Sequence, residues 1–209
     1  LAPDDAGQIL AVSLEALASS DAAAELRTHA LFTLRDLAQC APAAFAPHAG
    51  LALPRILDAL DDPEDADVAL SAGDALDGVV DALDPAAALR AVAPHVGEGG
   101  AAPVRCLSGV VTRMEPDELM RCTPELIPGL VRAFNSTSAD VRKAVVDALV
   151  AMYDALGDWL LPQLGGLTPA QQKLVTIYIN RAMEKPNAAS RAKAGGAETR
   201  VPLAPRQMQ

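Results

Sequence analysis

Aromatic side chains are scarce in this 209-residue chain: one Trp, two Tyr and three Phe, 3% of the total. Ala and Leu carry most of an apolar content of 51%, which disfavours a β-sandwich and favours closely packed helices. Long apolar runs are also missing. Asp, Glu or Arg interrupts every Ala/Leu stretch before about 18 residues, so no transmembrane helix is expected. Cysteine is limited to Cys40, Cys106 and Cys122, odd in number, widely spaced and without a CxxC pair. That excludes a disulfide framework and implies reduced core thiols in a cytosolic setting. The chain opens Leu1-Ala2-Pro3-Asp4-Asp5, with no initiator Met and no basic-then-apolar leader, and is read as an excised fragment.

Basic residues are rare where the chain begins. Residues 1–100 hold 17 acids and 4 bases, residues 101–185 hold 9 of each, and residues 186–209 hold 1 acid and 4 bases. The overall charge is −10, and no basic stripe offsets the acidic body, which excludes nucleic-acid binding. Catalytic signatures are absent as well. His29, His48 and His95 lack metal-ligand spacing to Cys or carboxylates, and no GxSxG, P-loop or GxGxxG occurs. Gly97-Glu98-Gly99-Gly100 reads as a turn, and the acids between 58 and 67 lack the spacing of a calcium loop. Asn135-Ser136-Thr137 matches a glycosylation acceptor only formally. The chain is read as non-enzymatic, with no cofactor and no metal.

What the chain does have is a repeat. Leu53, Ile56, Leu57 and Leu60 make an i, i+3, i+4, i+7 stripe that recurs at Leu89, Val92, Ala93 and Val96 and at Ile127, Leu130, Val131 and Phe134. Leu10, Leu14 and Leu17 precede it, with Ser13 as the polar departure. A second helix follows each stripe, anchored at Leu26, Val68, Val104 and Val141, spaced 42, 36 and 37 residues apart. Arg27, Arg105 and Arg142 each follow their anchor, while Ala69 breaks that pattern. The predicted helices run near 6–18, 22–39, 48–61, 64–82, 85–97, 101–114, 117–135, 138–157 and 169–184. Asp84-Pro85, Thr123-Pro124 and Thr168-Pro169 place capping side chains before prolines at first helical positions, and Gln171 completes a capping box with Thr168. Pro54 and Pro128, equivalent in the repeat, are expected inside first helices as shared kinks. The fold expected is an all-α HEAT-type solenoid over residues 1–185, followed by a mobile basic tail over 186–209.

From Glu125 to Ala182 the residues carry a more specific pattern: Leu126-Ile127-Pro128-Gly129-Leu130, Ser138-Ala139-Asp140-Val141-Arg142-Lys143-Ala144, Leu149-Val150-Ala151, Gly157-Asp158 and Lys173-Leu174 with Tyr178-Ile179-Asn180-Arg181-Ala182. This stretch resembles the C-terminal TOG domain of the CLASP family of microtubule-associated proteins. Weaker likeness extends back through Pro42-Ala43-Ala44-Phe45 and Leu34-Arg35-Asp36-Leu37 to about residue 7. The resemblance implies a HEAT-repeat TOG domain, with more repeats than the four and a half visible, so the first is expected to be incomplete.

It further implies two routes of binding at the microtubule cytoskeleton. Tubulin-binding TOG domains use the turns inside each repeat, with an aromatic in the first turn and bases later. The corresponding turns here are Ser19-Ser20-Asp21, Asp61-Asp62-Pro63-Glu64-Asp65, Gly97 to Gly100 and Asn135-Ser136-Thr137-Ser138, and they hold no Trp, Lys or Arg. An acidic edge repels acidic tubulin. The expected role is therefore recruitment of protein partners such as CLIP-type plus-end proteins and kinetochore or cortical adaptors, in support of microtubule stabilisation and rescue. The candidate partner-binding residues are Asp61, Asp62, Glu64, Asp65, Asn135, Ser136, Arg142, Lys143, Lys173 and Arg181. Arg142 is expected to bond neighbouring turns and Lys143 to face solvent. Trp159, Tyr153 and Tyr178 are expected to cap the end of the core, with a binding hot spot as the alternative.

Overall fold

The apolar stripes fold as helices whose inward faces interlock, as their 3.6-residue period requires. In a computed structural model the chain is described over residues 3–19, 21–60, 65–98 and 100–184. The helices are α1 (Pro3–Ala18), α2 (Ala24–Cys40), α3 (Pro42–Phe45), α4 (Ala49–Leu60), α5 (Ala66–Ala82), α6 (Pro85–Val92), α7 (Ala102–Val111), α8 (Pro116–Phe134), α9 (Ala139–Leu156) and α10 (Pro169–Glu184). Short 3₁₀ turns at Ala46–His48 and Ala93–His95 share the sequence Ala-Pro-His. No strand occurs among the described residues. The mobile tail expected over 186–209 lies outside them.

Each repeat pairs a first helix with a second: α1 with α2, α4 with α5, α6 with α7 and α8 with α9. Second helices stack as α2 on α5 and α7 on α9, while α5 and α7 touch least; α10 closes on α9. The first-helix stripes supply Leu53, Ile56, Leu89, Val92, Val96, Leu130 and Phe134 to a single core. Leu34, Leu76, Leu107 and Leu149 come from the second helices, each burial being worth about 1.5–3 kcal/mol. Ser13, also buried, donates its hydroxyl back to the Ile9 carbonyl at 2.9 Å, which removes the cost of a polar group in the stripe.

Capping sets the boundaries. Asp65 accepts from the amides of Asp67 and Val68 at 3.0 and 3.1 Å, and Asp84 accepts from Ala87 at 3.0 Å. Thr168 and Gln171 form the reciprocal box, at 2.9 and 3.3 Å. Pro54 and Pro128 lie inside α4 and α8 as expected.

Four expectations need correction. Thr123-Pro124 does not start a helix, because α8 begins at Pro116 with Asp117 and Glu118 in its first turn. Thr123 is fully buried in mid-helix, and its hydroxyl donates to the Leu119 carbonyl at 2.7 Å. Leu26, the first second-helix anchor, is 54% exposed, whereas Val68, Val104 and Val141 at the same repeat position are buried. Each of those three has a repeat packed before it, and Leu26 does not; with Ile9 and Val12 it lines an open apolar groove between α1 and α2. Between 157 and 166 the chain coils in 3₁₀ turns that bury Leu160 and Leu164, a segment whose Pro162 and paired glycines mask any helical period. Finally, only Cys106 is a buried thiol; Cys40 is exposed at the end of α2 and Cys122 is intermediate.

Candidate partner-binding edge

The turns joining first to second helices lie at residues 19–23, 61–65, 96–101 and 135–138. Asp61, Asp62 and Glu64 fall outside the described residues. Asp65 is described, and its carboxylate is engaged as the cap of α5. The third turn is tight: Gly97 has φ +96°, and a Cβ there would lie 2.6 Å from the Gly129 carbonyl. Reciprocally, a Cβ on Gly129 would lie 2.7 Å from the Val96 carbonyl. The glycine of the Leu126-to-Leu130 motif thus lets α8 press against the turn of the preceding repeat.

The fourth turn is held by the candidates themselves. Arg142 turns inward, donating from Nη1 to the carbonyls of Ser136 and Thr137 at 2.7 and 2.8 Å. It ties its own repeat's turn to α9 instead of presenting a cation to a partner. Ser136 accepts from the Ser138 amide at 3.2 Å, and Asn135 accepts from Gln171 Nε2 at 3.0 Å, joining this turn to the start of α10. Lys143, Lys173 and Arg181 remain outward: Lys143 faces solvent, and Arg181 stacks over Tyr178 with its guanidinium carbon 5.8 Å from the ring centroid. The seven described candidates therefore divide between the edge and the C-terminal end of the solenoid.

Beside the third turn, a cleft of about 360 Å³ opens between repeats, lined by Leu57, Asp58, His95, Glu98 and Arg105. Two carboxylates flank it. Sequence reading missed the acidic stripe behind it, Asp74, Asp77 and Asp81 on the exposed face of α5, although the spacing of these aspartates in one helix was the available signal. Burial raises the Asp77 carboxyl above the usual range, Asp81 and Asp74 add to the rise, and Arg105 opposes it. Burial likewise pushes the Cys106 thiol up to about 12, with Asp77 as the next contributor.

The aromatics of the last third differ in exposure. Trp159 is 39% and Tyr178 41% exposed, while Tyr153 packs on the core and donates its hydroxyl to Asp158 at 2.7 Å. No group of His, Cys, Asp or Glu able to hold a metal occurs among the described residues, and no described helix is long and apolar enough to cross a membrane.

Stacked helical pairs joined by intra-repeat turns define an all-α, HEAT-repeat, TOG-like domain. The HEAT repeat family profile matches residues 126–156, from the middle of α8 to the end of α9. Two solved structures share the fold. A chain from "Structural Basis of Microtubule Plus End Tracking by XMAP215, CLIP-170 and EB1" superposes with a TM-score of 0.67 at 19% identity, over 86% of this chain and 74% of that one. "Crystal Structure of MAST/Orbit N-terminal domain" gives 0.56 at 17% identity, over 77% and 74%. CLIP-associating protein 1-B of Xenopus laevis is 32% identical over 178 residues, 83% of this chain and 12% of the relative. CLIP-associated protein of Arabidopsis thaliana is 45% identical over 86 residues, 41% of this chain and 6% of the relative. The chain belongs to the CLASP family as one of its TOG domains, and spans about an eighth of the length of the Xenopus relative it matches.

Proposed function

We propose that this is the C-terminal, partner-binding TOG domain of a CLASP-like microtubule regulator. It recruits CLIP-type plus-end proteins, or kinetochore and cortical adaptors, through basic segments, at the microtubule cytoskeleton and in support of microtubule stabilisation and rescue. The carrying observation is the inward turn of Arg142, which leaves the described turns of the edge with Asp21, Asp65 and Glu98 but no outward cation or aromatic. In the cleft beside the third turn, Asp58 already pairs with Arg55 and Arg105 shares the lining, which leaves Glu98 as the carboxylate that suits a Lys or Arg side chain of such a segment. Tubulin, itself acidic, meets like charge on this edge. The names of the Xenopus and Arabidopsis relatives state CLIP association for those proteins, which supports the same assignment here. The uncovered groove of α1 and α2 fits a further helical pair stacking there in a longer protein.

The test is titration calorimetry with a basic CLIP-type segment. Reversal of Asp58, Asp61, Asp62, Glu64 and Glu98 to Lys should weaken binding by about tenfold or more, with added salt doing the same to the parent chain. Asp65 is left intact in that variant because its loss would also uncap α5. Undiminished binding would refute the acidic-edge assignment.

A further inference from the structure

The C-terminal end of the solenoid has the opposite character to the edge. α9 and α10 leave between them a groove of about 180 Å³ lined by Ala139, Arg142, Lys143, Val146, Leu174 and Tyr178. On α10, Leu174, Ile177 and Tyr178 are each about 40% exposed, at spacings that place them on one face. Only Val175 and Ile179 of that helix are buried. Lys173 and Arg181 flank the same face, and Lys143 stands across the groove. Among the described residues none of these three cations forms an ion pair within 4 Å, in contrast to Arg35 and Arg55, which pair with Asp36 and Asp58.

We propose that this groove docks an acidic peptide segment carrying an apolar side chain. The apolar residue enters between Val146 and Leu174 against the Tyr178 ring, and flanking carboxylates meet Lys143, Lys173 and Arg181. Charge complementarity selects the occupant. Residues 185–209 of this chain hold five bases and one acid, so they are repelled from this cationic rim and do not supply the segment. The surface adjoins the fourth turn but shares no residue with the acidic first three, so the domain can hold partners of both signs.

The test uses the whole 209-residue chain and a fluorescein-labelled Glu-rich peptide with a central Phe, followed by polarisation. Saturable binding is expected, weakening with salt. Lys143→Glu with Lys173→Glu should reduce affinity about fivefold to tenfold, and Tyr178→Ala should do so without altering the salt slope. All three side chains are exposed, so an unchanged melting curve verifies that the variants fold. Absence of binding, equal binding of a Lys-rich peptide with the same Phe, or affinity unchanged in both variants would overturn the proposal. So would a dimer in sedimentation that Tyr178→Glu dissolves, which would assign the groove to a second copy.

Discussion

Arg113, just past the end of α7, holds the end of α5, the second helix of the preceding repeat: its Nη2 donates to the Val80 carbonyl at 2.9 Å, and Nη1 donates to the Asp81 carbonyl at 3.0 Å. These are last-turn carbonyls of α5 that have no donor within the helix, and a cation there also complements the helix dipole. The bond crosses the joint between α5 and α7, where the second helices touch least. Arg113→Ala should lower stability by about 1–2 kcal/mol in urea denaturation. Arg113→Lys should recover only part, because one ammonium cannot match the planar fork. Full stability in the Ala variant would show that the clamp is dispensable.

Gly129 is the second structural test. An Ala Cβ would sit 2.7 Å from the Val96 carbonyl, a backbone atom that cannot swing aside. Gly129→Ala should destabilise by about 1–3 kcal/mol despite the better helix propensity of Ala. Gly109, whose added Cβ meets nothing within 4 Å, supplies the control, and Gly109→Ala should be neutral or stabilising. Equal effects at the two sites would contradict the close approach of α8 to the third turn.

Asp77 makes a pH prediction. Below the ordinary carboxylate pKa of 3.8 it is protonated in both folded and unfolded chains and costs nothing. As pH rises past 3.8 and through its raised folded value, the native state must hold a charge opposed by burial, Asp81 and Asp74, so stability falls relative to low pH. Asp77→Asn should therefore stabilise at neutral pH by a few tenths of a kcal/mol, small because the group is largely exposed, and change little near pH 3. A loss of stability at neutral pH would reverse the assigned sign.

The thiols should separate by reactivity. With its pKa at about 12, Cys106 has on the order of one thiolate in ten thousand at pH 8, and it is buried as well. A thiol-specific reagent at pH 8 should label Cys40 readily in the native chain and reach Cys106 only on unfolding. Mass mapping of labelled peptides checks this, and early labelling of Cys106 would show that α7 opens.

Helical periodicity was legible because burial repeats with the helix turn: Leu53, Ile56, Leu130 and Leu149 are all in the core. The Thr168–Gln171 box and the Asp84 cap were legible because capping is local chemistry. Leu26 misled because whether a stripe residue is covered depends on the neighbouring repeat, which no local pattern encodes. Thr123-Pro124 misled because Leu119 and Leu126 on either side are buried, and their packing carries the helix through the proline. Arg113 was invisible for a related reason: its acceptors lie more than 30 residues away and are backbone carbonyls without a side-chain signature. Of the candidate residues, Arg142 was expected to bond neighbouring turns and bonds the turn of its own repeat, whereas nothing in the spacing placed Lys143 and Tyr178 on one groove.

The central claim is that this TOG domain recruits partners in preference to tubulin. Size-exclusion chromatography of the chain mixed separately with unpolymerised tubulin and with a basic CLIP-type segment, at low and physiological salt, tests it most directly. Co-elution with the segment alone, strongest at low salt, is the predicted result. Co-elution with tubulin would contradict the account and show that the turns bind tubulin without an outward cation.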